Sequence, residues 1–185
     1  CWLSCPDGAR RVPVAPRPGA CRTVRMESYL FMNDEIGREF VAALAERAQA
    51  GVEVPLHLDA AGAWGNSSTS MERHLREREV VVKWFHRWSW RRPLRYNRRN
   101  HRKLLVVDDQ LAYVGGFNIH RESLRRFYGD ARWRDTHASI SGALALDAAK
   151  LFDVFWHGHL HWRPTLSGNA NLIPNHTGKC RHRIR

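Results

Sequence analysis

Long apolar runs are missing from this sequence: no stretch reaches the ~18–20 residues that a membrane-spanning helix needs. A leading segment with a basic start, an apolar centre and a small-residue cleavage site is missing too. Cysteine is scarce. Cys1, Cys5, Cys21 and Cys180 lie in the two terminal regions, with no CxxC pair and no zinc-finger spacing. That spacing argues against a metal finger and for free thiols in a reducing compartment. Acid is in short supply as well: 18 Asp+Glu against 30 Lys+Arg leave a net charge of +12. Most of those cations are Arg, the side chain suited to bidentate phosphate contacts. The expected partner is therefore anionic: a phosphodiester, a nucleic acid or an acidic lipid surface. No internal repeat is visible.

What is present is ordinary for a folded protein. With 185 residues, 43% hydrophobic and 26% charged, the chain suits one domain with a real core. Its first residue is Cys rather than Met, which reads as a fragment of a longer polypeptide. Residues 1–22 are rich in Pro, Arg and Gly without a period and read as an irregular basic arm. From Val24 the pattern changes. "VRMESYLF" reads as a strand, and Asn33-Asp34 cap a helix whose Ile36, Phe40, Leu44 and Ala48 recur at helical spacing up to Gly51. "VEVPLHL" reads as a second strand, with Pro55 suggesting an edge position or a bulge. Residues 67–79 suit a short polar helix, and "VVVKWF" a third strand. Residues 86–100, "HRWSWRRPLRYNRRN", form a basic-aromatic loop. "KLLVVD" and "LAYVG" read as strands joined by an Asp109-Gln110 turn. "DTHASIS" reads as a further strand, followed by a helix with Leu144, Ala148, Leu151 and Phe155 on one face. The residues beyond have no usable period. Alternating strands and helices predict an α/β fold, a mixed and mostly buried sheet flanked by helices.

Two cations beside an apolar strand, then a glycine pair, are the unusual feature. Residues 100–118, "NHRKLLVVDDQLAYVGGFN", fit His-x-Lys-x4-Asp-x6-Gly-Gly-x-Asn without a gap: His101, Lys103, Asp108, Gly115, Gly116 and Asn118. Residues 101 and 103, two apart on a strand, face the same way. His101 can attack phosphorus through one ring nitrogen and form a phosphohistidine that a second acceptor discharges. Lys103 supplies a point charge and Asn118 a neutral donor for the non-bridging oxygens. Gly115 and Gly116 carry no Cβ, so the backbone can approach phosphate closely. Arg99 and Asn100 flank His101 and are expected to touch substrate.

The motif resembles the signature of the phospholipase D superfamily. Its flanks, "MESYLFMNDEIGREFVAALAERAQAGVEV", "YNRRNHRKLLVVDD", "GGFNI" and "WRDTH", resemble the first half of bacterial cardiolipin synthases, over about residues 26–156. The resemblance implies a phospholipase D-like domain at 23–162 between the arm and an irregular tail at 163–185. It implies that Asp108 belongs to the signature and holds local structure, and that Asp135 hydrogen-bonds the nucleophile's other ring nitrogen. No metal or cofactor is implied, so "HGHLH" at 157–161 reads as an exposed histidine cluster. "NHTGKCRHR" at 175–183 echoes the motif only superficially.

Enzymes of this superfamily build one active site from two such motifs, one His attacking and its twin protonating the leaving oxygen. Only one motif is present here. The chain either pairs with itself across a twofold axis or is the amino-terminal piece of a two-motif lipid enzyme. Three functions follow. The leading one is a phosphodiesterase or phosphatidyltransferase acting on a phosphatidylglycerol-like lipid, peripheral to the inner face of a membrane. The others are a homodimeric nuclease using the same His101 and Lys103, and a catalytically silent domain that binds phosphate or anionic lipid.

Overall fold

Asp34 shows how local chemistry starts an element. Its carboxylate accepts the N–H groups of Ile36 (3.0 Å) and Gly37 (2.9 Å), satisfying donors that the first helical turn leaves open. Helix α1 (Glu35–Gln49) follows, and just past its Ala50 cap Gly51 turns the chain at a φ of 82° that is open to glycine. The structure, a computed structural model, describes residues 2–4, 11–13, 21–62, 68–85 and 99–158. Most of the basic-aromatic loop, residues 159–161 of the histidine cluster, and the tail with its echo of the motif lie outside the described residues.

In chain order the remaining elements are β1 (Trp2–Ser4), β2 (Arg11–Pro13), β3 (Val24–Ser28), β4 (Pro55–Asp59), α2 (Ser68–Arg76), β5 (Val81–Phe85), β6 (Leu104–Val107), β7 (Leu111–Gly115), α3 (Arg125–Tyr128), β8 (His137–Ser141) and α4 (Ala143–Trp156). Strands β1 and β2 pair antiparallel, so the expected irregular arm contains a small ribbon. The other six form one mixed sheet in the order β5-β4-β3-β6-β7-β8. The first three run parallel, joined by α1 and α2, while β6, β7 and β8 alternate in direction. This is the α/β, mixed and helix-flanked sheet that the alternation predicts.

Side chains at alternate strand positions separate two cores. Val24, Met26, Leu56, Leu58, Val82, Leu105 and Val107 pack with Ile36, Leu44 and Ala48 of α1 and with Met71 and Leu75 of α2. Leu104, Val106 and Ala112 pack on the opposite face with Ala145, Ala148, Ala149 and Phe152 of α4. Each large side chain so buried contributes roughly 1.5–3 kcal/mol. The buried face of α4 is turned slightly from the predicted one: Ala145 and Phe152 are its inner residues, and Leu144 and Phe155 are only half-buried.

Two sequence expectations are corrected. Pro55 does not mark an edge, because β4 is internal and buried along its whole length. It is tolerated as the first residue: pairing with β3 begins at Leu56, and on the β5 side Val81 donates to the carbonyl of Val54 at 3.0 Å, asking nothing of a Pro55 N–H. The hairpin turn is centred on Asp108 and Asp109, with φ of 51° and 58°, not on Asp109-Gln110. Gln110 N–H donates to the Val107 carbonyl at 3.1 Å, and aspartate tolerates the left-handed conformation that a tight hairpin requires. Among the described residues, no helix is long and apolar enough to cross a membrane.

Candidate active site

Strand directions bring the chemistry together. The carboxyl ends of β3, β4, β5 and β7 and the amino ends of β6 and β8 all reach the same edge of the sheet. Tyr29 follows β3, Asp59 ends β4, Lys103 precedes β6, Gly115 ends β7, and Asp135 lies just before β8. Ligand sites favour such an edge, outside the carboxyl ends of parallel strands.

His101 and Lys103 precede β6 rather than lying within it, yet their side chains meet. The Lys103 ammonium donates to His101 Nδ1 at 3.0 Å, stands 3.3 Å from Nε2, and also donates to the His101 carbonyl at 2.9 Å. Tyr29 packs against both, its ring centroid 4.5 Å from the imidazole's and 5.2 Å from the ammonium. Lys103 is only 5% exposed, while His101 is exposed. Burial brings the Lys103 ammonium down to about 8, against the opposing pull of the Asp135 carboxylate. Burial, and then the nearby ammonium, lower the His101 imidazole below its ordinary value, with Asp59 and Asp135 opposing. Both shifts favour a neutral imidazole with a lone pair beside a cation at neutral pH.

The other residues divide between this pair and its supports. Asn118 accepts the Leu30 N–H on its side-chain oxygen at 3.2 Å. The next residue is stitched to the same segment: Ile119 N–H donates to the Leu30 carbonyl at 3.0 Å, and Met32 N–H to the Ile119 carbonyl at 2.9 Å. Asp135 does not bond the imidazole as the resemblance implied. Its carboxylate accepts the N–H of Thr136 at 2.8 Å and acts on His101 and Lys103 through space. Asp108 lies at the far end of β6, where it accepts the N–H groups of Arg22 (2.7 Å) and Thr23 (2.9 Å) and pins the hairpin to the start of β3. Asn100, expected to touch substrate, is 5% exposed. Its N–H donates to Asp59 at 2.7 Å and its side-chain oxygen accepts the Arg102 N–H at 3.3 Å, so it shapes the loop. Arg99 lies 3.6 Å from the same Asp59 carboxylate.

The glycine pair has a steric reason of its own within the fold. A Cβ on Gly115 would lie 2.1 Å from the Thr136 carbonyl oxygen, and one on Gly116 would lie 1.9 Å from the Asp135 carboxylate. The strand entering β8 crosses that closely. Gly115→Ala, opposed by backbone, should destabilise by about 1–3 kcal/mol. Gly116→Ala, opposed by an exposed side chain, should cost less. Urea unfolding of both variants checks this order; equal midpoints would contradict it.

Three contributors carried no signal in the sequence. Tyr29 has no motif spacing. Asp59, wholly buried, accepts the N–H groups of Ala61 and Asn100, faces the Arg99 guanidinium at 3.6 Å and holds the loop before His101. His137, stacked 5.3 Å from Phe117, accepts the Phe117 N–H on Nδ1 at 3.3 Å and so holds the chain just before Asn118. Among the described residues, no group of His, Cys, Asp and Glu is arranged to hold a metal ion.

Comparison with known proteins shows the family and the fold. Residues 19–145 match the family described as "Cardiolipin synthase, PLD-like domain". A cardiolipin synthase of Clostridium perfringens is 35% identical over 135 residues, which are 72% of this chain and 28% of that protein. Cardiolipin synthase 1 of Staphylococcus aureus is 35% identical over 162 residues, 84% of this chain and 31% of the relative. The chain thus spans less than a third of the length of these relatives. Among solved structures, the phospholipase D family member NUC from Salmonella typhimurium superposes with a TM-score of 0.56 at 18% identity, over 77% of this chain and 82% of that one. NucT from Helicobacter pylori gives a TM-score of 0.56 at 13% identity, over 76% of this chain and 82% of that one.

Proposed function

This chain belongs to the family of phospholipase D-like domains of cardiolipin synthases, and from that membership we propose that it transfers a phosphatidyl group through a covalent histidine. A His101 ring nitrogen would attack the phosphorus of a phosphatidylglycerol-like lipid, forming an N–P bond as the P–O bond to the leaving alcohol breaks. A second alcohol would then attack phosphorus and release the imidazole. Lys103 and the Asn118 amide nitrogen would face the non-bridging oxygens, where charge builds up. The proton for the leaving oxygen would come from a second motif's histidine, on another copy or elsewhere in the polypeptide.

The observation that carries the reading is the 3.0 Å contact between the Lys103 ammonium and the His101 ring, at an edge where six strand ends converge. A net charge of +12 supports action at an anionic membrane face, to which the protein would be peripheral. Each Lys or Arg near such a surface adds about 1 kcal/mol of attraction. To test this, the chain is incubated with phosphate-labelled phosphatidylglycerol and quenched in base. We expect a labelled, acid-labile protein adduct, and diphosphatidylglycerol once two motifs are paired. If a verified dimer yields neither, the proposal fails.

A homodimeric nuclease is the second reading. It is suggested by the single motif copy in this sequence, which pairing across a twofold axis would complete. The 35% identity to cardiolipin synthases supports the lipid reading ahead of it. Plasmid cleavage in the presence of a chelator, lost in His101→Ala, would reverse the order. Salt-sensitive anion binding with no adduct would point instead to a silent domain.

A further inference from the structure

Arg102, between the two paired residues, sends its side chain the other way. Its guanidinium donates to the Glu27 carboxylate at 2.6 Å and lies 3.4 Å from the Phe155 ring centroid, near the end of α4. Glu27 is 1% exposed and also faces His57 Nδ1 at 3.4 Å. His57 in turn meets the Trp156 ring edge-on at 6.0 Å. The anchor is therefore rigid on three sides: β3, β4 and the last turn of α4.

Residues 101–103 need such an anchor. Pairing between β3 and β6 ends at the Glu27–Leu104 register, so no ladder with β3 reaches them. Their backbone is held by few bonds: Arg102 N–H to the Asn100 side chain at 3.3 Å, Gly115 N–H to the Lys103 carbonyl at 3.4 Å, and the Lys103 ammonium to the His101 carbonyl at 2.9 Å. Alternation then does the rest: with the middle side chain drawn down to Glu27 and Phe155, its two neighbours turn up toward Tyr29.

The geometry points to Arg102 as a positioning residue that holds His101 and Lys103 against each other by gripping Glu27 and Phe155 on the opposite face of the sheet. The buried pair is costly as a device for stability alone, since replacing such a pair by apolar groups is often neutral. Here it fixes a direction. The effect on rate rests on the phosphoryl-transfer reading; the effect on the imidazole does not.

The test uses the full chain with ring-labelled histidine. The double variant Glu27→Gln/Arg102→Met removes both charges, so no unpaired ion is left buried. In it, the His101 titration should rise toward the ordinary histidine value as the ammonium drifts away. Turnover should fall by about 10²-fold in kcat, the scale of a 1 Å misplacement, with KM changed by less than about threefold. Arg102→Lys, which keeps the charge on Glu27 but not the planar stack on Phe155, should recover part of both. A folded double variant with wild-type titration and kcat would overturn the assignment. Should that variant fail to fold, Phe155→Leu answers instead: an upward shift of His101 supports the assignment and an unmoved titration defeats it. A titration that shifts in the variant, while the wild type as a verified dimer turns over no lipid, would sink the lipid reading and leave the positioning role intact.

Discussion

Replacing His101 with alanine should abolish the base-stable, acid-labile adduct and reduce phosphatidyl transfer by at least about 10⁴-fold, the scale seen when an enzyme loses its nucleophile. The expectation follows from geometry. A neutral imidazole with an available lone pair stands beside a cation that can draw in a phosphate oxygen, and nothing else among the described residues duplicates it. His120 and His137 are also lowered below the usual histidine value by burial, but their rings are committed. His120 meets the Ser123 hydroxyl at 3.0 Å, and His137 holds the Phe117 N–H. The check is single-turnover labelling of wild type and variant, with unfolding midpoints measured beside it. Because His101 is exposed, its loss should leave stability within about 0.5 kcal/mol. A His101→Ala protein that still forms an adduct would place the nucleophile elsewhere.

Lys103→Met should lower kcat by about 10²–10³-fold, the usual loss when one charged or hydrogen-bonding group facing the transition state is removed. The pH dependence gives a finer test. Lys103 is brought down to about 8 by burial, so its ammonium is present below that pH and lost above it. His101 is lowered from its ordinary value, so its lone pair is kept down to a more acid pH than a free histidine would allow. In the free enzyme the two requirements are met together between these limits. The profile of kcat/KM, which reports free-enzyme groups, should therefore be a bell with its alkaline limb near pH 8 and its acid limb below ~6.5. Lys103→Arg keeps a charge that does not titrate in this range, so the part of the alkaline limb set near pH 8 should disappear, leaving only that of the histidine that protonates the leaving oxygen, while the acid limb stays. A limb near pH 8 that survives in Lys103→Arg belongs to another group.

Much of this was legible in the residues. The Asp34 cap, the helical spacing of Ile36, Leu44 and Ala48, and the apolar run before Asp108 all report local physics, and α1, β6 and β7 form where that physics puts them. The six motif positions could be read because their spacing is strict. The roles of the glycines, Asn100 and Asp108 could not, since each depends on what crosses from far along the chain. Thr136 lies against Gly115, Asp59 takes the Asn100 N–H, and Asp108 caps the backbone at Arg22 and Thr23. Pro55 misled for the same reason: a missing donor suggests an edge, but only register shows whether a neighbour needs it.

Short-range pattern alone determined the elements, the mixed α/β class and the identity of the histidine–lysine pair, because capping, periodicity and motif spacing are written within a few residues of one another. Tertiary structure alone decided that six strand ends share one edge, that Tyr29 and Asp59 stand behind His101, and that Arg102 is gripped from β3 and α4. Those contacts join residues tens of positions apart, and they are set by strand order and direction. No local spacing encodes these.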